Sequence, residues 1–201
     1  MGDVIVDLSI SLDGFIAGPN DGPELPLGRG GERLFTWMGA GPERNRVESR
    51  LQPPDASKPI VDEWMSGSGA IISGRRTFDI ANGWKDGHPV DVPIFVVTHE
   101  APTSGEWSPR VQFVTEGVDR ALELAQEAAG DGVVAISGAQ VAQQLLRAGK
   151  LDGIQVSVAP VILGGGVRLF ERFGDETVVL EQERVIESEG VTHLRYRVVR
   201  A

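Results

Sequence analysis

The sequence predicts an α/β domain whose central sheet is mostly parallel and ends in an antiparallel C-terminal hairpin. Short apolar runs rich in β-branched residues alternate along most of the chain with segments of helical period. One of these segments, Val118–Ala129, is amphipathic over its whole length. Near the C-terminus, polar and apolar side chains alternate on both sides of a turn at Glu189 and Gly190. We therefore expect a single domain over residues 1–201.

The N-terminal part of the chain contains a strand, a long loop and two short helices. Val4–Ser11 is rich in β-branched residues and predicts the first strand, which ends at residues 12–14. Residues 19–59 are rich in glycine, proline and charge, which indicates a long loop insertion. Within this insertion, residues 32–38 favour one short helix, and residues 60–65 predict a second helix after it.

The middle of the chain alternates strands with helices. Buried strands are predicted at residues 70–73 and 93–98, and a shorter one at Val111–Val114. Gly74 follows the first of these strands and opens a helix, whereas Val118–Ala129 forms the helix after the third. This order of elements is typical of a parallel sheet with helices packed on it.

The last third of the chain repeats the pattern once and then changes it. Val133–Ser137 predicts a buried strand, and a helix follows it at once and ends at Gly149. Residues 154–163 read as a long strand interrupted at Pro160. Three glycines and residues 167–170 come next, and the terminal hairpin consists of residues 177–186 and 191–199.

Composition excludes several classes of function. The chain has 201 residues, a net charge of −10 and no cysteine, which excludes disulfides, thiolate nucleophiles and cysteine-ligated zinc. Three histidines are scattered, so we expect no metal site. The negative charge argues against nucleic acid or an anionic membrane as partner. No apolar run is long enough to span a membrane and no signal peptide is recognisable, so we expect a cytoplasmic protein.

Two glycine corners join a buried strand to a helix and predict a site for phosphate. At such a corner, free backbone N–H groups and the positive end of the helix dipole meet. Thr98 and His99 follow a third strand, and ligands of open α/β sheets bind beyond the carboxyl ends of the strands. The alternatives are ordinary strand-to-helix connections, a solvated arginine pair and a loop histidine without a role. The two corners consist of Gly74, Arg75, Arg76 and Thr77, and of Ser137, Gly138, Ala139, Gln140 and Val141.

Four motifs in this order resemble the dihydrofolate reductase-like superfamily, and within it the C-terminal reductase domain of the bifunctional riboflavin-biosynthesis protein. They span nearly the whole chain and lie at residues 9–17, 74–78, 136–141 and 159–170. The resemblance implies a three-layer fold with a mostly parallel central sheet, and NADPH as hydride donor to a small-molecule substrate. It implies a homodimer as well. The deaminase half of the bifunctional protein uses zinc-ligating cysteines, so we expect no deamination here.

The resemblance assigns the cofactor contacts residue by residue. Ile16 and Ala17 would meet the nicotinamide carboxamide through their backbones. Gly74, Arg75 and Thr77 would hold the pyrophosphate and the 2′-phosphate side, and residues 137–141 would form the second phosphate cradle. Thr98 and His99 would lie beside the adenosine phosphate.

The substrate and the proton source are less closely defined. A 5-amino-6-(5-phosphoribosylamino)uracil-like compound or a pteridine is the expected substrate. The proton would come from Asp13, Asp62, Glu63 or water, although Asp13 also suits a simple Asp-Gly turn.

Four residues are placed on the substrate side. Trp37 or Trp64 would form an aromatic wall for the substrate, although core filling is the more ordinary role for a tryptophan. Gly165 and Arg168 in the glycine-rich motif are the other two.

Two other classes of function stay open. One is a nucleotide- or small-molecule-binding protein on the same scaffold without turnover, which is favoured by Ser137 where folate reductases usually have glycine. The other is a structural dimerisation module, which would gain no thermal stability from the cofactor.

Overall fold

The computed structural model describes residues 2–39, 51–171, 173–174 and 177–200. Its ten strands are β1 (Val4–Ser11), β2 (Phe15–Ala17), β3 (Ser68–Gly74), β4 (Ile94–Val97), β5 (Val111–Val114), β6 (Val133–Ser137), β7 (Gly153–Ala159), β8 (Val167–Arg168), β9 (Leu180–Ser188) and β10 (Val191–Val198). Its α-helices are α1 (Lys58–Gly67), α2 (Arg75–Ile80), α3 (Val118–Ala129) and α4 (Ala139–Arg147). Short 3₁₀ helices cover Gly31–Met38, Asp55–Ser57 and Asn82–Trp84.

Eight strands form one sheet in the order β5-β4-β3-β6-β1-β7-β10-β9. The pairs from β5 to β7 are parallel, and β10 pairs antiparallel with both β7 and β9. The predicted mostly parallel sheet with an antiparallel C-terminal hairpin is confirmed. Because strands β1, β3, β4, β6 and β7 run the same way, their carboxyl ends meet at one edge of the sheet.

Helices cover both faces of the sheet, which gives the predicted three layers. On one face, α3 and α4 pack on side chains such as Val6, Ile72 and Ile136. On the other face, Trp64 of α1 and Phe78 of α2 pack around Ile71 and neighbouring strand residues. Alternate residues of one strand therefore supply two separate cores, as the period of a strand requires.

Several boundaries differ from the predicted ones. The strand expected over residues 154–163 ends at Ala159, because Pro160 cannot donate a ladder hydrogen bond. The first hairpin strand begins at Leu180 rather than at residue 177. In the insertion, the short helix over residues 32–38 is a 3₁₀ helix, and residues 40–50 lie outside the described part.

One small sheet was not predicted. Strand β2 is three residues long and pairs with β8, which lies far away in the chain. In the described ranges, none of the helices has the length and apolar character that crossing a membrane requires.

Candidate active site

The two glycine corners lie side by side at the carboxyl edge of the sheet. Strands β3 and β6 are neighbours, and Ser73 is the register partner of Ser137. A Cβ atom added to Gly138 would lie 2.7 Å from Thr77 Oγ1. One added to Gly74 would lie 3.7 Å from Val141 Cγ2. The starts of α2 and α4 thus enclose a narrow space, which we call the glycine cradle (residues 74, 77, 138 and 141).

The backbone of the glycine cradle suits a phosphate group. Gly138 has φ 106° and ψ 149°, a conformation that side chains with a Cβ rarely adopt. No described side chain caps the N-terminus of α4 by a hydrogen bond. The first N–H groups of that nine-residue helix therefore have no side-chain acceptor, and an anion is their natural partner. The negative charge of a phosphate group suits this donor set.

The two arginines of the first corner already have protein partners. Arg76 Nη2 donates to Asp21 Oδ1 at 2.6 Å and Nε to Oδ2 at 3.0 Å, which ties α2 to the loop before residue 30. The hydrogen bonds that Arg76 donates to the Asp21 carboxylate raise the pKa of Arg76. Arg75 donates to Asp79 at 2.8 Å and to the Glu100 carbonyl at 3.2 Å. Through its bond to Glu100, Arg75 is the arginine whose side chain is held next to the loop that follows β4.

Thr98 and His99 follow β4, next to the first corner. Val97 is the register partner of Gly74, so Thr98 lies one residue beyond that pair. Thr98 is buried and its hydroxyl donates to the Glu100 carbonyl at 2.9 Å. His99 is exposed. The threonine therefore shapes the loop that Arg75 contacts, and the histidine faces solvent.

Asp13 holds the loop that follows β7. Its Oδ1 accepts a hydrogen bond from Leu163 N at 3.1 Å, and its Oδ2 accepts one from Gly164 N at 2.8 Å. A hydrogen bond from Ser11, together with these backbone donors, lowers the pKa of Asp13 to about 2. The carboxylate is therefore ionised at neutral pH, where it accepts hydrogen bonds and has no proton to donate.

We expect Asp13→Ala to loosen this loop, because the N–H groups of Leu163 and Gly164 lose their acceptor. Hydrogen exchange measured by NMR should show protection of both amides falling by about 10-fold or more. Asp13→Asn keeps one acceptor oxygen and should lose less. In the wild-type protein the folded-state pKa of Asp13 lies below the ordinary 3.8. The contribution of the Asp13 carboxylate to stability is therefore present above pH 3.8 and is lost as the pH falls through about 2. Unchanged protection in the alanine variant would contradict this role.

The residues expected on the nicotinamide side and those of the glycine-rich motif lie together at the small sheet. Ile16 and Ala17 belong to β2, whose Phe15 pairs with Arg168. The Arg168 guanidinium lies 4.4 Å from the centre of the Phe15 ring. A Cβ atom at Gly166 would lie 2.0 Å from the Ala17 carbonyl oxygen, so the glycine run passes directly over β2.

Gly165 belongs to the same run, and a Cβ there would lie 3.7 Å from Pro19. Ile16, Ala17, Gly165 and Arg168 are thus brought to one place.

The two acidic residues of α1, Asp62 and Glu63, have other surroundings than the residues at the small sheet. Asp62 is exposed. Glu63 binds Arg184 of β9 through two hydrogen bonds of 2.6 Å, and this pairing lowers the pKa of Glu63. A carboxylate held in this way is a poor proton donor.

The two tryptophans fill cores. Trp37 is 5% exposed, its Nε1 donates to Ser9 Oγ at 3.1 Å, and its ring meets the His193 ring edge-on at 4.9 Å. Trp64 packs in the aromatic cluster of α2 and lies 6.2 Å from the His88 ring. The structure places both in the ordinary role that the sequence also allowed.

Two layers of polar side chains cross β1, β7 and β10 beneath α1, and sequence reasoning missed them. The upper polar layer consists of Ser9, Ser157 and His193, and the lower polar layer of Asp7, Gln155 and Arg195. Alternate polar residues in β1 were a signal for them, but only strand pairing shows that the layers line up.

The lower polar layer contains an unusual carboxyl group. Gln155 Nε2 donates to Asp7 Oδ2 at 2.7 Å, and Arg184 donates to Gln155 Oε1 at 3.0 Å. Burial of the carboxyl group raises the pKa of Asp7 to about 6. In the upper polar layer, burial and then Arg184 lower the pKa of His193.

Comparison with known proteins adds a family and a fold. A family model described as RibD C-terminal domain matches residues 3–194. The chain is similar to a Shewanella sp. PV-4 protein assigned to riboflavin biosynthesis, with 22% identity, a TM-score of 0.70 and 100% coverage of both chains. A comparison with curated proteins gives no match.

Two further solved structures extend this comparison. One is the diaminohydroxyphosphoribosylaminopyrimidine deaminase/5-amino-6-(5-phosphoribosylamino)uracil reductase of Thermotoga maritima, with 15% identity and a TM-score of 0.63. The match covers 98% of this chain and 57% of that one. The other is the Enterococcus faecalis dihydrofolate reductase complexed with NADP(H), with 16% identity, a TM-score of 0.52 and coverage of 98% and 96%. These similarities show a dihydrofolate reductase-like fold.

Proposed function

Because the chain belongs to the RibD C-terminal domain family, we propose that it is an NADPH-dependent reductase of the riboflavin-biosynthesis type. The membership confirms the resemblance read from the motifs, and it makes the protein an oxidoreductase. The proposed substrate is a 5-amino-6-(5-phosphoribosylamino)uracil-like pyrimidine, with a pteridine as the nearest other class.

The glycine cradle is the observation that supports NADPH most directly. Its two glycine corners approach each other closely, and the start of α4 offers uncapped N–H groups for the diphosphate. Ile16 and Ala17 would hold the nicotinamide end, and Thr98 and His99 would lie toward the adenosine end. When bound there, NADPH supplies the hydride, and the protein supplies orientation and a closed surrounding.

The proton is proposed to come from solvent water. Asp13 is ionised and bound to the loop after β7, and Glu63 is paired with Arg184. Asp62 lies on the exposed side of α1. None of the three carboxyl groups combines a proton with a position at the carboxyl edge of the sheet.

Titration of the protein with NADPH, followed by nicotinamide fluorescence, tests the proposal. We expect saturable binding at micromolar concentrations, and loss of nicotinamide absorbance when the phosphoribosylamino-uracil is added. A protein that leaves NADPH fluorescence unchanged at high micromolar concentration would end the proposal.

A binding protein without turnover is the second candidate. It is favoured by the engagement of Asp13 and Glu63 in protein contacts. It would bind NADPH but oxidise none with a panel of pyrimidine, pteridine and quinone acceptors.

Arg75→Ala is expected to weaken NADPH more than NADH. Arg75 is the arginine at the end of β4, where a forked donor suits the 2′-phosphate. We expect the Kd of NADPH to rise about 10-fold and the Kd of NADH to change less than about 2-fold. Arg110→Ala, which removes an arginine paired with Asp91 away from the corners, is the control. An equal loss for both cofactors would contradict this assignment.

We further propose that the protein is a cytoplasmic homodimer. Exposed apolar residues on and near β9, among them Val179 and Val185, support self-association. Light scattering after size exclusion at micromolar concentration measures the assembly state, and a monomer would contradict the dimer.

A further inference from the structure

His193 lies in a chain of hydrogen bonds in which each group donates to the next, from Ser157 through His193 and Ser57 to Ser188. Ser57 Oγ donates to Ser188 Oγ at 2.8 Å, so it accepts from His193 Nε2, which lies 2.8 Å away. Nδ1 then carries no proton and accepts from Ser157 Oγ at 2.8 Å. The ring is 2% exposed, and both of its own hydrogen bonds, to Ser57 and to Ser157, are buried. With Ser57 as the donor to Ser188, each group in the chain meets a partner of the matching kind.

This chain joins three parts of the molecule that are far apart in sequence. Ser157 lies on β7, His193 lies on β10, and Ser57 directly precedes the first residue of α1. Trp37 of the Gly31–Met38 helix packs edge-on against the same ring at 4.9 Å and bonds Ser9 of β1. The imidazole therefore contacts both segments that cover this half of the sheet.

The upper polar layer lies just beneath the candidate active site. Ser9 and Ser157 each precede the last residue of their strand by two positions, Ser11 in β1 and Ala159 in β7. Apolar side chains would hold the covering segments in place by packing alone. A buried and fully bonded polar network additionally selects one position for its partners.

We propose that His193 is a positioning residue for reduction, because it fixes the positions of Trp37 and of the start of α1 relative to the carboxyl ends of β1 and β7. In this position it controls affinity for the substrate and leaves affinity for NADPH unchanged. The proposal rests on the proposed reductase function. The phosphate-binding corners lie on β3 and β6, which the chain of hydrogen bonds does not touch.

Two variants separate the contacts. Ser57→Ala removes the bond to the start of α1, and His193→Phe keeps a ring beside Trp37 but removes both bonds. Ser108→Ala is the matched control, since Ser108 is also a buried serine whose hydroxyl is hydrogen-bonded, but its partner is the Arg110 N–H in the other half of the molecule. We expect both test variants to raise the substrate KM about 10-fold, with kcat and the NADPH Kd changed less than about 2-fold. Ser108→Ala should leave all three constants unchanged.

Acrylamide quenching of Trp37 fluorescence, assigned by subtracting a Trp37→Phe protein, provides a readout that does not need turnover. Trp37 should become more accessible in Ser57→Ala and in His193→Phe. A folded Ser57→Ala protein with the wild-type KM, or equal losses in kcat and NADPH affinity, overturns the positioning role. Unchanged quenching overturns the anchoring itself. A wild-type protein that binds NADPH without turning over any pyrimidine ends the reductase function, and the positioning role falls with it.

Discussion

Replacing Gly138 with alanine is expected to weaken NADPH binding by about 100-fold, the largest effect on function that a single methyl group should have in this protein. The added Cβ would lie 2.7 Å from Thr77 Oγ1, and the backbone at φ 106° is strained for any residue other than glycine. Relieving either the contact with Thr77 or the unfavourable φ moves the start of α4, which carries the N–H groups proposed to hold the diphosphate. Loss of two or three hydrogen bonds of about 1 kcal/mol or more each gives the stated magnitude.

Gly149 offers a matched control at the other end of the same helix. It also has a positive φ, 66°, but a Cβ there meets nothing within 4 Å. Gly149→Ala should therefore lower the melting temperature as Gly138→Ala does and leave NADPH affinity unchanged. Fluorescence titration of both variants measures the difference. If Gly138→Ala loses thermal stability but binds NADPH as the wild type does, the diphosphate does not lie in the glycine cradle.

Replacing Asp7 with asparagine is expected to change the pH dependence of stability. The folded-state pKa of Asp7 is raised from 3.8 to about 6, so its protonated form is favoured by folding. That stabilisation is complete below pH 3.8 and is lost as the pH rises through about 6. Asparagine stays neutral and keeps an acceptor for Gln155. The free energy of unfolding of Asp7→Asn relative to wild type should therefore rise by about 2 kcal/mol between pH 4 and pH 7.5. This is less than the whole pKa difference would give, because Asp7 keeps some contact with solvent.

Urea unfolding at a series of pH values measures this difference. His193 acts in the opposite sense, because its pKa is lowered by folding. Its contribution to stability is therefore present above pH 6.5, the ordinary pKa of histidine, and is lost at lower pH. Its contribution is present in both proteins and cancels. Asp62→Asn removes the same charge from the surface and should stay within about 0.5 kcal/mol of wild type. A constant difference for Asp7→Asn across the range would show that the carboxyl group titrates normally.

Local patterns were enough to predict the regular elements. The first strand and Val118–Ala129 have the bounds that their apolar periodicity predicts. The position of the two glycine corners at one edge of the sheet also followed from sequence, because parallel strands end at the same edge. That they are neighbours is known only from the pairing of β3 with β6. These inferences needed only short-range patterns and one general rule of topology.

Contacts between distant residues were beyond such patterns. Asp13 reads locally as a turn residue or an acid, and only the loop after β7 shows it to be an acceptor for backbone N–H groups. Strand β2 is too short for any periodicity and exists through its pairing with β8. His193 alternates correctly in its strand, but its partner Ser57 lies 136 residues earlier in the chain.

The place of β1 in the sheet has a consequence for how the chain is made. Its neighbours on both sides come late: Val4 pairs with Val134, and Ile5 with Gly153. During synthesis the first strand therefore leaves the ribosome long before either partner exists, with both hydrogen-bonding edges open and apolar side chains exposed. A topology dominated by such distant pairings folds slowly, and β1 has no strand partner until the last third of the polypeptide has emerged.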